Sequence, residues 1–333
     1  MNNRFKYGIF VISLDFELYW GVRDKRSLDS YKSHLLNTPG AVLSTLNLFR
    51  RYDIHATWAT VGALFLSSQE EFLATASARP GYRDSNLCPY AYAEKQKSLD
   101  PPYHFAPDLI ESIASQPGQE IGTHTFSHYY CAEEGASPSS FSRDIQQARR
   151  TAEKMGIPLR SIVFPRNQWR EEFLPSLKEA RIGSFRGNPP HWAYRSAAES
   201  EQSLPRRAFR LIDSYLNLTG HHTFAPPRAR QGLMDVPASA FLRPYSRKLA
   251  CFEPLKIKRI QDSLTIAARR REGYHLWWHP HNFGSHLEEN LANLETILAT
   301  FDQLRNSYGM ISRNMLEVEQ GTKDGSLLDS ERA

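Results

Sequence analysis

The sequence predicts an α/β fold, with βα units arranged around a parallel sheet that is either open or closed into a barrel. Two observations carry this. Short apolar runs of strand length alternate along the chain with longer stretches whose apolar residues recur near a 3.6-residue period. The 333 residues, 41% of them hydrophobic, are enough to bury the core of one large α/β domain or two modest ones.

Taken in order, the first run, Tyr7–Leu14, leads straight into Asp15 and Glu17 and reads as a buried strand. Leu35–Tyr52 has helical periodicity, and His55–Val61 is the second strand pattern. Residues 66–104 contain Pro, Gly and four tyrosines (Tyr82, Tyr90, Tyr92 and Tyr103) without clear periodicity. Phe105–Ser115 is helical again, followed by a strand at Glu120–Gly122 and a helix at Phe141–Met155 with Ser140 as its expected N-cap. Gly156 stands where a helix would be capped, with Pro158 beyond it, before a strand at Ser161–Phe164. Residues 186–259 are rich in proline and arginine, with thirteen Lys and Arg against five Asp and Glu. A strand at Tyr274–Trp278 and a long amphipathic helix at Leu287–Tyr308 complete the pattern. The expected organisation is one domain over 1–318 with insertions near 66–104 and 186–259. A polar, frayed tail is expected over 319–333.

Composition excludes several classes. A net charge of +5 is mildly basic, and no nucleic-acid-binding motif accompanies it. Cys88, Cys131 and Cys251 are scattered, form no CxxC pair and suggest a reducing compartment. No run approaches the roughly 18 apolar residues of a membrane span, and a cytoplasmic location is the expectation.

Chemistry concentrates at the ends of three strand patterns. In SLDFELYWG, Asp15 and Glu17 are two residues apart, so a strand would turn both carboxylates to one side, in apolar company where unpaired charge is costly. In EIGTHTFSHYY, a helical turn would bring His124 and His128 onto one face, suited to two ligands of one divalent ion. With a carboxylate from another strand end they would make a His₂-carboxylate site with a position open for water. In HLWWHPHNFG, His279 beside Trp277 and Trp278 suits general acid work, and His281 competes with it.

This order of an acidic pair, H-T-x-x-H, a Phe-Pro-Arg segment and a late histidine resembles the NodB-type polysaccharide deacetylases of carbohydrate esterase family 4. The similarity runs from about Phe10 to His281, and ATWATVG at Ala56–Gly62 looks like the family's second strand. The first motif is of the D-x-E kind, and the overall likeness is greatest to cytoplasmic members that act in surface-polysaccharide (O-antigen-like) biosynthesis. The resemblance implies a distorted (β/α)7-type barrel and one divalent metal ion, commonly Zn²⁺, held by Glu17, His124 and His128. It further implies Asp15 as base, His279 as acid, Arg166 of VFPRNQW as the arginine bracing the base, and Asp213 of FRLIDSY as the aspartate orienting the acid. The Asp15 and Glu17 roles could be exchanged, because a phenylalanine separates the two acids where the usual motif has adjacent aspartates.

The expected partner is an N-acyl amino-sugar substrate and no nucleic acid; a sugar nucleotide, a lipid-diphosphate-linked sugar or an acidic glycan would each fit. Arg206, Arg207, Arg210, Arg228, Arg230, Arg243 and Arg247 could meet its phosphates. Trp169, Trp192, Trp277 and Trp278 are candidates to stack on the sugar. A deformylase or other small-amide hydrolase on the same scaffold, and a non-catalytic carbohydrate-binding protein, are the alternatives. Retention of all five of Asp15, Glu17, His124, His128 and His279 speaks against the last.

Overall fold

A computed structural model describes residues 4–329. Its centre is a ten-stranded sheet: β1 (Ile9–Phe16), β2 (Ala56–Thr60), β3 (Gln119–Thr123), β4 (Ser161–Ile162), β5 (Ser184–Phe185), β6 (Ala229–Arg230), β7 (Leu233–Asp235), β8 (Ala240–Phe241), β9 (Gly273–Trp278) and β10 (Ile311–Ser312). The strand order is β6-β7-β5-β4-β3-β2-β1-β9-β8, with β10 paired to the start of β1. Every pairing is parallel except the β6–β7 hairpin at one edge. β1 is buried along its whole length, as a parallel strand covered on both faces must be.

The sheet curls strongly. β5 lies four strand spacings from β1, roughly 19 Å on a flat sheet. Yet Arg186, just past β5, donates to Ser13 Oγ and to Asp15 of β1 at 2.9 and 2.7 Å. Only a barrel-like curvature lets one side chain bridge that gap. The strand path still has two edges, β6 and β8.

Helices pack outside. Phe10, Leu294, Ile297, Leu298 and Phe301 are all fully buried where the helix Leu287–Tyr308 covers the sheet, each worth about 1.5–3 kcal/mol of burial. That helix ends where Gly309 takes a left-handed φ of 67°, which glycine adopts without a Cβ penalty.

Several expectations change. Leu35–Tyr52 is two helices, Leu28–Leu36 and Thr38–Tyr52, broken at Asn37 just before Pro39. The helix expected to begin after Ser140 starts at Pro138, capped by Ser137, whose hydroxyl accepts from the Ser140 N–H. The stretch 186–259 is more than a loop insertion, because β6, β7, β8 and the helix Leu204–Leu216 lie within it. The tail expected from 319 is ordered through 329. Met315–Lys323 is a helix with a capping box at Asn314, Val318 and Glu319 are buried, and Leu328 bridges to Phe5. Residues 330–333 of that tail lie outside the described residues.

Candidate active site

The parallel strands deliver their functional side chains at one end, the carboxyl edge of the sheet, as expected of open α/β architectures. Asp15 comes from the end of β1 and Glu17 just beyond it. His124 follows β3, Asn167 follows β4, Arg186 follows β5 and His279 follows β9.

Glu17, His124 and His128 converge, with one donor atom from each lying within 4.8 Å of the others. Glu17 Oε2 is 2.9 Å from His128 Nε2 and 3.3 Å from His124 Nε2. Gly21 leaves this carboxylate its room, since a Cβ there would collide with it. His124 Nδ1 donates to the Val163 carbonyl at 2.8 Å, which leaves Nε2 bearing a lone pair. That Nε2 is buried and, among the described residues, has no hydrogen-bond partner. Burial pushes the His128 imidazole down to about 4 despite Glu17 beside it, so it is a neutral donor at neutral pH. Burial alone would raise Glu17, but the imidazoles of His279, His128 and His124 hold it well below the usual carboxylate range. An ionised carboxylate and two imidazole lone pairs aimed at one point fit a divalent cation.

The two histidines do not share a helical turn, as their spacing had suggested. Residues 124–130 form a loop in which Thr125 and His128 have φ of 64° and 58°. Asp144 holds it from below, accepting the Phe126 and Ser127 N–H groups at 2.6 and 3.1 Å and the Ser127 hydroxyl. Burial pushes Asp144 up to about 7 in spite of these bonds. From the 66–104 segment, Tyr82 Oη accepts the Tyr130 N–H at 2.6 Å.

Asp15 lies beside this cluster. The guanidinium against it is that of Arg186, at 2.7 and 2.8 Å, bidentate and fully buried. Arg186 also donates to Asn167 Oδ1 at 2.9 Å and lies 4.2 Å over the Trp277 ring. Burial works to raise Asp15, but Arg186, then His124 and His279, outweigh it and hold the carboxyl below its ordinary value. Arg166, expected to brace Asp15, instead pairs with Asp24 and lies over the Tyr130 ring at 4.0 Å. The cause is local: Arg166 and Asn167 both have left-handed φ, so the turn offers Asn167 to Arg186 and turns Arg166 away.

His279 Nε2 is 3.6 Å from Glu17 Oε1 and 3.9 Å from Asp15 Oδ2, and its ring packs against Trp277 and Phe241. It lines the cavity, whereas His281 is 2% exposed behind it and burial pushes its pKa down to about 3. Asp213, expected to orient His279, is committed elsewhere. Arg259, Tyr194 and Thr219 satisfy its carboxylate. The nearest polar partner of His279 Nδ1 is Asn282 Nδ2, at 3.3 Å.

The cavity holds about 360 Å³, within the range of small-ligand sites. Asp15, Glu17, His128 and His279 form its floor, and Trp277 one wall. Of the other tryptophans, Trp278 is buried in the core, Trp169 packs on Phe185, and Trp192 is exposed outside. Arg207, Arg210 and Arg243 of the arginine-rich stretch reach the rim. Arg230 pairs with Asp235 instead.

The polysaccharide deacetylase family model matches residues 37–183. No curated protein matches the chain. Among solved structures, a Mycobacterium smegmatis protein provisionally described as a polysaccharide deacetylase superimposes with a TM-score of 0.62 at 14% identity, covering 98% of this chain and 95% of its own. Puue allantoinase gives 0.56 at 10% identity, over 95% of this chain and 90% of its own. The α-amylase AmyC of Thermotoga maritima gives 0.52 at 11% identity, over 94% and 74%. These likenesses show the fold, and the fold hosts more than one chemistry. The family match covers less than half of the chain, and at these identities the structural likenesses speak to the fold alone.

Proposed function

We propose that the chain is a metal-dependent deacetylase that removes an N-acetyl group from an amino sugar in a surface-polysaccharide precursor, in the cytoplasm. The observation that carries this is the convergence of Glu17, His124 and His128 at a cavity whose floor Glu17 and His128 share with Asp15 and His279. Glu17, His124 and His128 would hold the ion, which we take to be Zn²⁺; it would supply Lewis acidity and an activated water. Asp15, kept ionised by Arg186, accepts the water proton as its oxygen attacks the acyl carbon. His279, facing the cavity, delivers a proton to the sugar nitrogen as the C–N bond breaks, so that acetate and a free amine leave.

The purified protein is expected to contain one equivalent of a divalent metal, and His124→Ala to lose it, as read by elemental analysis. Mass spectrometry of products from N-acetylated and N-formylated sugars would then identify the acyl group. A metal-free wild-type protein, or full occupancy in the variant, would remove the metal assignment.

The rim supports an anionic carrier. Arg210 donates to Ala193 O and Gln202 Oε1 but meets no acid, and the buried Nε of Arg243 has no partner among the described residues. Two guanidiniums without counter-ions among the described residues suit the phosphate of a nucleotide or lipid diphosphate. Arg243→Ala should raise KM for a phosphate-bearing substrate about tenfold while leaving kcat nearly unchanged, since only binding is lost. Steady-state kinetics with matched phosphorylated and neutral sugars test this.

A further inference from the structure

The helix Leu204–Leu216 is amphipathic in the opposite sense to an ordinary surface helix. Its polar residues face the protein. Arg206 and Arg210 both donate to the Ala193 carbonyl, and Asp213 is fully buried against Arg259. Its apolar residues face solvent, with Leu204 80%, Ile212 48% and Leu216 56% exposed, and Leu211 exposed with them. Aromatic contacts extend this face on both sides. Exposed Trp192 packs on Phe209 at 5.2 Å, and exposed Phe252 packs on Tyr215 at 6.2 Å.

The surroundings of the face are basic. Exposed Arg247 and Lys248 stand on the turn that ends at Phe252 and meet no acid among the described residues, while Arg207 of the helix is already paired with Glu199. A second copy seated here about a two-fold axis would set these cations against their own equivalents, whereas an anionic surface would neutralise them. No helix among the described residues is long and apolar enough to cross a membrane, so any membrane contact by these helices is made from the side. The same helix sends Arg207, Arg210 and Ser214 into the cavity wall. We infer that this face docks peripherally on a bilayer rich in anionic phospholipid and brings the cavity mouth to the headgroups. The inference stands whatever reaction the cavity carries out.

The test is co-sedimentation of the full chain with phosphatidylcholine vesicles, with and without phosphatidylglycerol. Binding is expected to the anionic vesicles and to weaken with added salt. The pair Leu211→Asp and Leu216→Asp should reduce the bound fraction about tenfold, and circular dichroism and melting of the variant, measured alongside, must match the wild type, because both side chains are exposed but partly packed on the helix surroundings. Arg247→Glu with Lys248→Glu should weaken the same binding without altering the helix. The idea is overturned if neither vesicle binds the wild type or both double variants pellet like it. It is equally overturned if the wild type is a dimer that Leu211→Asp and Leu216→Asp split, since a second copy would then cover the face.

Discussion

Asp15→Asn should cut kcat/KM by at least about a hundredfold, the usual contribution of a positioned general base. Asparagine keeps the size of the side chain and an oxygen for Arg186, so the fold is expected to survive. What it loses is the capacity to take a proton. His279→Ala should cost a similar factor for the complementary reason. An amide nitrogen leaves as an amine only if it is protonated, and His279 is the imidazole that borders both Asp15 and Glu17 from the cavity side. Steady-state rates on an N-acetylated sugar, with metal content measured alongside, separate lost chemistry from lost ion. Turnover at wild-type level in either variant would remove the acid–base assignment.

Arg186→Met should be the most destabilising single change at the site, by about 3–5 kcal/mol, because it leaves a buried carboxylate without its partner. The pH dependence has a definite sign. In the wild type Asp15 sits below its unfolded pKa of about 3.9. The ion pair therefore stabilises fully above that value, and its contribution fades as pH falls through the folded pKa. Without Arg186, burial dominates and the carboxyl shifts upward, so the penalty grows as pH rises. Urea denaturation of both proteins at about pH 4 and pH 7 should show a larger difference at the higher pH. The acid limb of the residual activity should move upward as well. An equal loss at both pH values would contradict the pairing.

The residues that were legible in the sequence are those whose chemistry is announced locally. Asp15 and Glu17 close a largely apolar strand run, His124 and His279 each stand directly after a strand, and His128 follows His124 at motif spacing. Burial of the strand fixes where its end lies, and the parallel pairing brings those ends together. The supporting contacts were not legible, because they depend on how far the sheet curls. Arg186 was only the first residue of a basic stretch after a two-residue strand, too short to show periodicity. Arg166 occupied the expected motif, but the left-handed turn at 166–167 exchanged its place with that of Asn167. Asp213 was the aspartate the resemblance offered to orient His279, yet its carboxylate is taken by Arg259. His275, fully buried with Nε2 2.7 Å from Ser13 Oγ, carried no signal at all, since a histidine inside a strand has no motif around it.

The loop that carries His124 and His128 is tied down by Asp144 and Tyr82, neither of which is a candidate ligand. A cation arriving there would find its donors already set and would have no chain to order.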